Sequence, residues 1–296
     1  MKACINYISS RSRCIKQSLQ SLWDNYNKDY NYPVYVYYFD DIYDSEVFRN
    51  EVRLQINENI HFVSVPYKTP SFLKEEELYY NRSDINYVQR SFSIQRKGYL
   101  HMCNFKSNMY GYLNTHFHKY NCVMMHDDES GYTRPLAVDP FEIMSSRPEV
   151  MGAFFVGQRL KNGAPHQGHY DTRLGLWEFT RNFLLTNNIT PASPQLQELL
   201  ESPTAERDFH LLEWCDTYVI KTEMFKSDLW KKWIAAVNEN GGIYKYRWGD
   251  NEIITLFAYI YDGNIFDLGL VKDGSHDQGM FRHMQDIAPS IKDIQR

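Results

Sequence analysis

Apolar and polar positions alternate through "KACINYISS" at the start of the chain, the period-two pattern of a strand. "SRCIKQSLQSLWDNYNKDY" follows, with Ile15, Leu19, Leu22 and Tyr26 at helical spacing. "YPVYVYYFDD" is a β-branched and aromatic run closed by two aspartates and predicts a second strand. "SEVFRNEVRLQI" opens on a serine cap and predicts a helix; "IHFVSVP" predicts a third strand. Strands alternating with helices at this spacing predict an α/β domain with a mainly parallel sheet. In such sheets the functional edge is where the strands reach their carboxyl ends.

A polar loop, "YKTPSFLKEEELYYNRSDIN", precedes a long predicted helix over "QRKGYLHMCNFKSNMYGYL", where Tyr99, Met102, Phe105, Met109 and Leu113 share a face. "NCVMM" predicts the next strand, and "DPFEIMSS" a short helix capped by Asp139 with Pro140 in its first turn. "VMGAFFVGQ" reads as a strand and "LGLWEFTRNFLLTNN" as a helix. "KSDLWKKWIAAVNENGG" is a helix with a serine cap and a glycine stop. The Pro- and Ser-enriched stretch "ITPASPQLQELLESPTAERD" still carries apolar residues at helical spacing, so residues 1–296 are read as one domain. The "HFH" of His116 to His118 has metal-like spacing only in a strand, and a solvent-exposed helix end is expected there.

Composition narrows the classes. A chain of 296 residues buries roughly 75% of its unfolded surface, so a core needs neither disulfides nor a structural metal. The net charge of −5 and the short basic runs argue against a nucleic-acid partner. Five cysteines without CxxC spacing read as reduced, mostly buried thiols. No stretch approaches the apolar length of a membrane span, and the first residues lack a signal-peptide core, so the expected location is cytoplasmic. The 23 tyrosines pair an apolar face with a polar tip and suit core packing or the stacking of sugars.

The candidate chemistry starts at "MMHDDES", where Asp127, Asp128 and Glu129 follow a predicted buried strand. Adjacent carboxylates repel one another until a cation joins them, and hard oxygen ligands suit Mn²⁺ or Mg²⁺. Acidic residues at strand ends are also common as solvated turn residues. Asp40 and Asp41 end the second strand, placed either to close a nucleotide pocket or to cap the following helix.

"GYLHMCNF" (Gly98 to Phe105) resembles the Y-R-H-M-C-R-F stretch of glycosyltransferase family 15, the fungal Golgi α-1,2-mannosyltransferases. That family has a strand ending in R-V-E-P, then Y-D-P-F and a methionine; this chain has "VMMHDDES" and then "VDPFEIM". Its G-G-F-x-Y-E-R-W-G-D is similar to "GGIYKYRWGD" (Gly241 to Asp250), and order and spacing agree from "SSRSR" to "FDLG". The resemblance implies a modified Rossmann-like fold of GT-A type, a mixed, mainly parallel sheet with flanking helices. It further implies a nucleoside diphosphate sugar as donor, GDP-mannose first, a glycan hydroxyl as acceptor, a Mn²⁺ (or Mg²⁺) ion, and retention of anomeric configuration.

By position the family's metal-binding glutamate falls on His126 or Asp127, with Asp128 alongside; Asp127 and Asp128 are taken as the ligands. Tyr99 matches the active-site tyrosine, Arg11 an arginine that contacts the nucleotide, and Asp250 the aspartate that could orient or deprotonate the acceptor hydroxyl. Arg247 could pair with the diphosphate or with a surface carboxylate, and Asp250 could instead be a helix cap. Two departures stand out. The family's candidate catalytic glutamate falls on Tyr218 or Val219, with Asp216 the nearby carboxylate, which favours a front-face mechanism over an enzyme nucleophile. The family's metal-binding histidine falls near Lys272, with His276 four residues on; His276 is a candidate third ligand and Lys272 a candidate partner for the diphosphate. Other donors (GDP-fucose, a UDP-hexose, a deoxysugar) or a lapsed carbohydrate-binding domain are the alternatives.

Overall fold

The computed structural model describes residues 1–9, 12–39, 46–65, 69–78, 97–111, 115–128, 130–132, 134–154, 174–201 and 217–270. Seven strands form one sheet: β1 (Ala3–Ser9), β2 (Val34–Phe39), β3 (Ile60–Val65), β4 (Cys122–Asp127), β5 (Met151–Ala153), β6 (Tyr218–Lys221) and β7 (Phe266–Asp267). Their order is β3-β2-β1-β4-β6-β5-β7. β3, β2, β1 and β4 run parallel, whereas β6 lies antiparallel between β4 and β5. The predicted α/β class and mainly parallel sheet therefore hold, with one reversal in the chain direction. β4 runs two residues past the apolar stretch, through His126 to Asp127.

Both faces of the sheet are covered, as parallel strands require. Ile5, Tyr7, Val36, Tyr38 and Met124 point to one face, where α1 (Ser12–Leu22) and α4 (Pro140–Ser145) supply Ile15, Leu19, Leu22, Phe141 and Met144. Cys4, Tyr35, Tyr37, Phe39, Val123 and Met125 point to the other. There α3 (Lys97–Asn108), α5 (Leu176–Thr186), α8 (Asp228–Asn240), α9 (Gly242–Tyr246) and α10 (Asp250–Tyr261) bury Leu100, Phe105, Leu176, Trp233, Tyr244 and Phe257. The described helices are completed by α2 (Glu46–Gln55), α6 (Pro194–Glu201) and the short α7 (Glu223–Lys226). None is long and apolar enough to cross a membrane.

The caps follow the sequence. Ser227 accepts from the Trp230 amide at 3.0 Å at the start of α8, and Gly241 ends it at φ +74°. α3 is shorter than its periodicity suggests: a 3₁₀ turn, Met109–Gly111, replaces the last helical turn. "HFH" forms part of another 3₁₀ turn, Phe117–Lys119. His118 is exposed as expected, but His116 is half-buried and stacks on Tyr35 with ring centroids 4.5 Å apart.

Many of the tyrosines bury their rings and keep the hydroxyl paired. Tyr35 and Tyr120 share a 2.8 Å hydrogen bond, and Tyr37 accepts from the His116 amide at 3.3 Å. Tyr26 and Tyr32 both donate to Asp139 at 2.7 Å, and Asp139 also accepts from the Phe141 amide at 2.9 Å. This buried carboxylate thus ties the π-helical turn Trp23–Asn27, which prolongs α1, to the start of α4. Asp139→Ala strands one buried phenol, one half-buried phenol and an amide. It is expected to cost about 3 kcal/mol and to lower Tm by roughly 5 °C or more in a thermal melt. An unchanged Tm would mean that the two tyrosines find other acceptors.

Candidate active site

The parallel register sets the first cluster. Ile8 lies opposite Asp127 and Ser9 opposite Tyr38, so β1, β2 and β4 end on one edge. Ser9 donates to Asp128 Oδ2 at 2.6 Å. Asp128 is buried, whereas Asp127 is half-buried. The chain then turns sharply: the Ser130 amide donates to the Asp127 carbonyl at 3.2 Å, and His126 Nδ1 lies 2.9 Å from the same oxygen. His126 packs on Tyr7 at 4.8 Å between ring centroids.

α1 and the π-helical turn that prolongs it hold this turn through residues that the sequence reading did not single out. Ser18, Ser21 and Asn25 follow one another at helical spacing. Ser18 Oγ donates to the Ser130 carbonyl and lies 3.3 Å from the Tyr7 hydroxyl. Ser21 Oγ accepts from the Tyr132 amide at 2.6 Å, and Asn25 donates to the Tyr132 carbonyl at 3.1 Å. The signal was a polar row beside the apolar row Ile15–Leu19–Leu22 on a helix otherwise read only for its core face.

A second cluster forms where α3 meets the 241–250 segment. α3 runs against the strands: His101 packs near Phe39, at the end of β2, at 6.3 Å, whereas Asn6, midway along β1, reaches Met109 at 3.9 Å. Its first turns therefore lie toward the edge that carries Asp127. Tyr99, Cys103 and Lys106 occupy one face of α3 at positions i, i+4 and i+7.

The "GGIYKYRWGD" segment is shaped by its glycines and its tryptophan. A Cβ at Gly242 would lie 2.3 Å from the Trp248 ring, so only glycine admits this contact. The buried Trp248 indole donates to the Leu174 carbonyl at 2.7 Å. Arg247 takes a left-handed backbone, φ +59°, and its guanidinium sits 4.8 Å from the centroid of the Tyr99 ring. A non-glycine residue in that region costs on the order of 1 kcal/mol, and here the conformation aims a cation at an aromatic face. Among the described residues, the contact that Arg247 makes is with the Tyr99 ring.

Asp250 is the first residue of α10, and Gly249 holds the N-cap position, so the capping role considered for Asp250 is not the one it has. It is buried, 4% exposed, with Lys106 Nζ 3.3 Å from Oδ2. Oδ2 meets no aligned hydrogen-bond donor among the described residues. Burial raises its pKa above the ordinary aspartate value, Lys106 pulls it back, and Glu252 adds to the rise. Tyr99 is likewise held well above the usual phenol range, by Cys103 first and burial second, with Arg247 opposing.

Thus Asp127 and Asp128 both stand at the carboxyl edge, and Tyr99, Arg247 and Asp250 are brought together. Arg11, Asp40, Asp216, Lys272 and His276 lie outside the described residues. Tyr218 and Val219 are fully buried strand residues, so no carboxylate stands where the resemblance places the family's glutamate. No group of three or more His, Cys, Asp or Glu side chains gathers into a metal cage among the described residues. The donor set nevertheless suits a hard divalent ion: Mg²⁺-like ions bind through one or two carboxylates, with waters and substrate phosphates completing the shell.

A three-layer domain with carboxylates at the carboxyl edge of its parallel strands and a tyrosine–arginine–aspartate cluster beside it defines a GT-A-type glycosyltransferase fold. Core-mannan synthase A (CmsA/Ktr4) from Aspergillus fumigatus, solved in a Mn/GDP form, superposes with a TM-score of 0.72 at 15% identity, covering 93% of this chain and 73% of that one. The mannosyltransferase Ktr4p from S. cerevisiae gives 0.70 at 18% identity, covering 93% and 70%. Residues 1–263 match the glycolipid 2-alpha-mannosyltransferase family, and the chain belongs to it. The O-glycoside alpha-1,2-mannosyltransferase homolog 3 of Schizosaccharomyces pombe is 22% identical over 269 residues, 86% of this chain. The match spans 66% of that relative's length.

The raised pKa of Asp250 has a stability consequence. Between the ordinary aspartate value and the folded one, the folded chain binds more protons than the unfolded chain. The contribution of this group is therefore full below the ordinary value and is lost as pH rises. Asp250→Asn is expected to melt higher than the parent at neutral pH, because the variant has no carboxylate to ionise in the interior. The gap should close as pH falls toward about 4. A lower Tm for the variant at neutral pH would show that the Lys106 pairing outweighs burial.

Proposed function

We propose that this chain is a retaining, metal-dependent glycosyltransferase that moves mannose from GDP-mannose to a glycan hydroxyl, forming an α-1,2 linkage. The observation that carries the reading is the pair Asp127 and Asp128 at the carboxyl edge, one half-buried and the other braced by Ser9. Family membership supports the sugar and the linkage, and the Mn/GDP form of CmsA/Ktr4 supports the nucleotide and the ion.

Asp127 and Asp128 would hold Mn²⁺ (or Mg²⁺), which when bound supplies charge neutralisation for the departing diphosphate. Tyr99, stacked under Arg247, would face the reacting sugar or phosphate. Its phenol keeps its proton at neutral pH and so serves as a hydrogen-bond donor rather than a nucleophile. Asp250, paired with Lys106, would accept a hydrogen bond from the acceptor hydroxyl and orient it. With buried apolar strand residues at 218 and 219, the reaction is front-face. The acceptor oxygen bonds to C1, the C1–phosphate oxygen bond breaks with its electron pair going to GDP, and the acceptor proton passes to the departing phosphate.

The test is donor turnover by the full chain with Mn²⁺ and a mannoside acceptor, across GDP-mannose, GDP-fucose and UDP-hexoses, with the product anomer read by NMR. GDP-mannose should be the preferred donor, EDTA should abolish transfer, and Asp127→Asn with Asp128→Asn should lower kcat by about 10²-fold or more at little change in Tm. Preference for another donor would correct the sugar. Glycan binding without turnover of any donor would leave a carbohydrate-binding domain in place of an enzyme, and full activity in the double variant would remove the metal site.

A further inference from the structure

Asp250 presents an electrostatic conflict. Its carboxylate is buried, Glu252 stands two residues along the same helix, and both push toward the neutral acid. An acid that keeps its proton is a poor acceptor for a hydroxyl, because the strong interaction is the one made by the charged form. The groups around Asp250 come from three directions. α3 contributes Cys103 and Lys106; α10 contributes Glu252; the preceding segment contributes Arg247, which sits over the Tyr99 ring. Of the two cations, Lys106 is the one in direct contact, 3.3 Å from Oδ2, with its own side chain 11% exposed.

Burying an ammonium costs free energy unless a partner compensates it, and for Lys106 on α3 that partner is Asp250. Its neighbours on the same face, Tyr99 and Cys103, also bear on the site: Tyr99 lies under Arg247, and Cys103 bonds to Asp250. The contact with Oδ2 places a positive charge directly on the carboxylate, in a position to offset what burial costs it.

We propose that Lys106 is a positioning residue for sugar transfer: its ammonium, on a largely covered side chain, keeps the Asp250 carboxylate charged, so that Asp250 can receive the acceptor hydroxyl. This rests on the reading of Asp250 as the acceptor-binding group. Lys106 touches neither donor nor acceptor in this arrangement; it acts through Asp250. Glu252 is the opposing charge, and the balance between the two sets the lowest pH at which the site works.

The balance gives paired variants with opposite signs. Lys106→Met removes the favourable charge and should move the acidic limb of kcat/KM upward by about one to three pH units, which at a fixed pH on that limb is a loss of about tenfold or more. Activity should return at higher pH. Lys106→Arg should keep the parent profile, and Glu252→Gln should move the limb downward. The measurement is kcat/KM against pH for the full chain with GDP-mannose, Mn²⁺ and a mannoside acceptor. It is accompanied by an infrared titration in which the Asp250 carboxyl band is identified by its loss in Asp250→Asn.

If the limb and the band move together in opposite directions in the Met and Gln variants, the proposal stands. A uniform loss of activity at every pH in Lys106→Met, with the band unmoved, overturns it and assigns Lys106 to packing. Should Lys106→Met fail to fold, Glu252→Gln alone decides: a band that does not move downward overturns the proposal. Asp250→Asn that transfers sugar at the parent rate would instead remove the acceptor role of Asp250, while the infrared band still reports whether Lys106 controls its charge.

Discussion

The short hydrogen bond from Ser9 to Asp128 joins the ends of the two central strands, and the candidate site depends on it. Parallel pairing brings β1 and β4 to the same edge, and the register with Ile8 opposite Asp127 places the next residue of each strand side by side. One residue of slip would put Ser9 beyond reach and turn the carboxylates to the other face of the pleat. The row of side chains on α1 and its π-helical extension then fixes the turn that follows, so a pair of like charges is held in place by groups on neighbouring elements rather than by each other.

The two halves of the site have different origins in the fold. The carboxylate half is built on the central parallel strands, the most regular part of the sheet. The Tyr99–Arg247–Asp250 half is built on helix–helix packing and on a segment forced into shape by Trp248 seated against Gly242. α3 is the element that relates them. It lies across the strands with its first turns toward the carboxyl edge, and it carries Tyr99, Cys103 and Lys106 on the side that meets α10.

Much of the architecture was legible in the chain. The strands β1 to β4 and their helices follow from period and cap signals because both faces of the sheet are covered and each element carries an unbroken apolar row. The Asp127–Asp128 pair could be found for the same reason: charges directly after a buried run are conspicuous. Less legible was the antiparallel entry of β6, in which Tyr218 pairs with Met125. A short apolar strand looks the same in either direction, so only its partners decide. The geometry around Asp250 was hidden too. Nothing local marks a lysine for burial or an arginine for a left-handed backbone; both depend on what packs against them from more than a hundred residues away. Ser9 is a lone serine and carries no signal until its acceptor is in place, whereas Ser18 and Ser21 form a polar row that is eclipsed by the apolar row beside it.

The phenols in the interior of this sheet also set an upper bound on the conditions the fold tolerates. Burial raises the pKa of Tyr7 and Tyr37, and burial together with neighbouring acidic groups does so for Tyr26. An unfolded chain gives up those protons near pH 10, while the folded chain retains them. Alkali therefore draws the protein toward the unfolded side, and a composition rich in tyrosine becomes a base-sensitive core that no change at the candidate site would relieve.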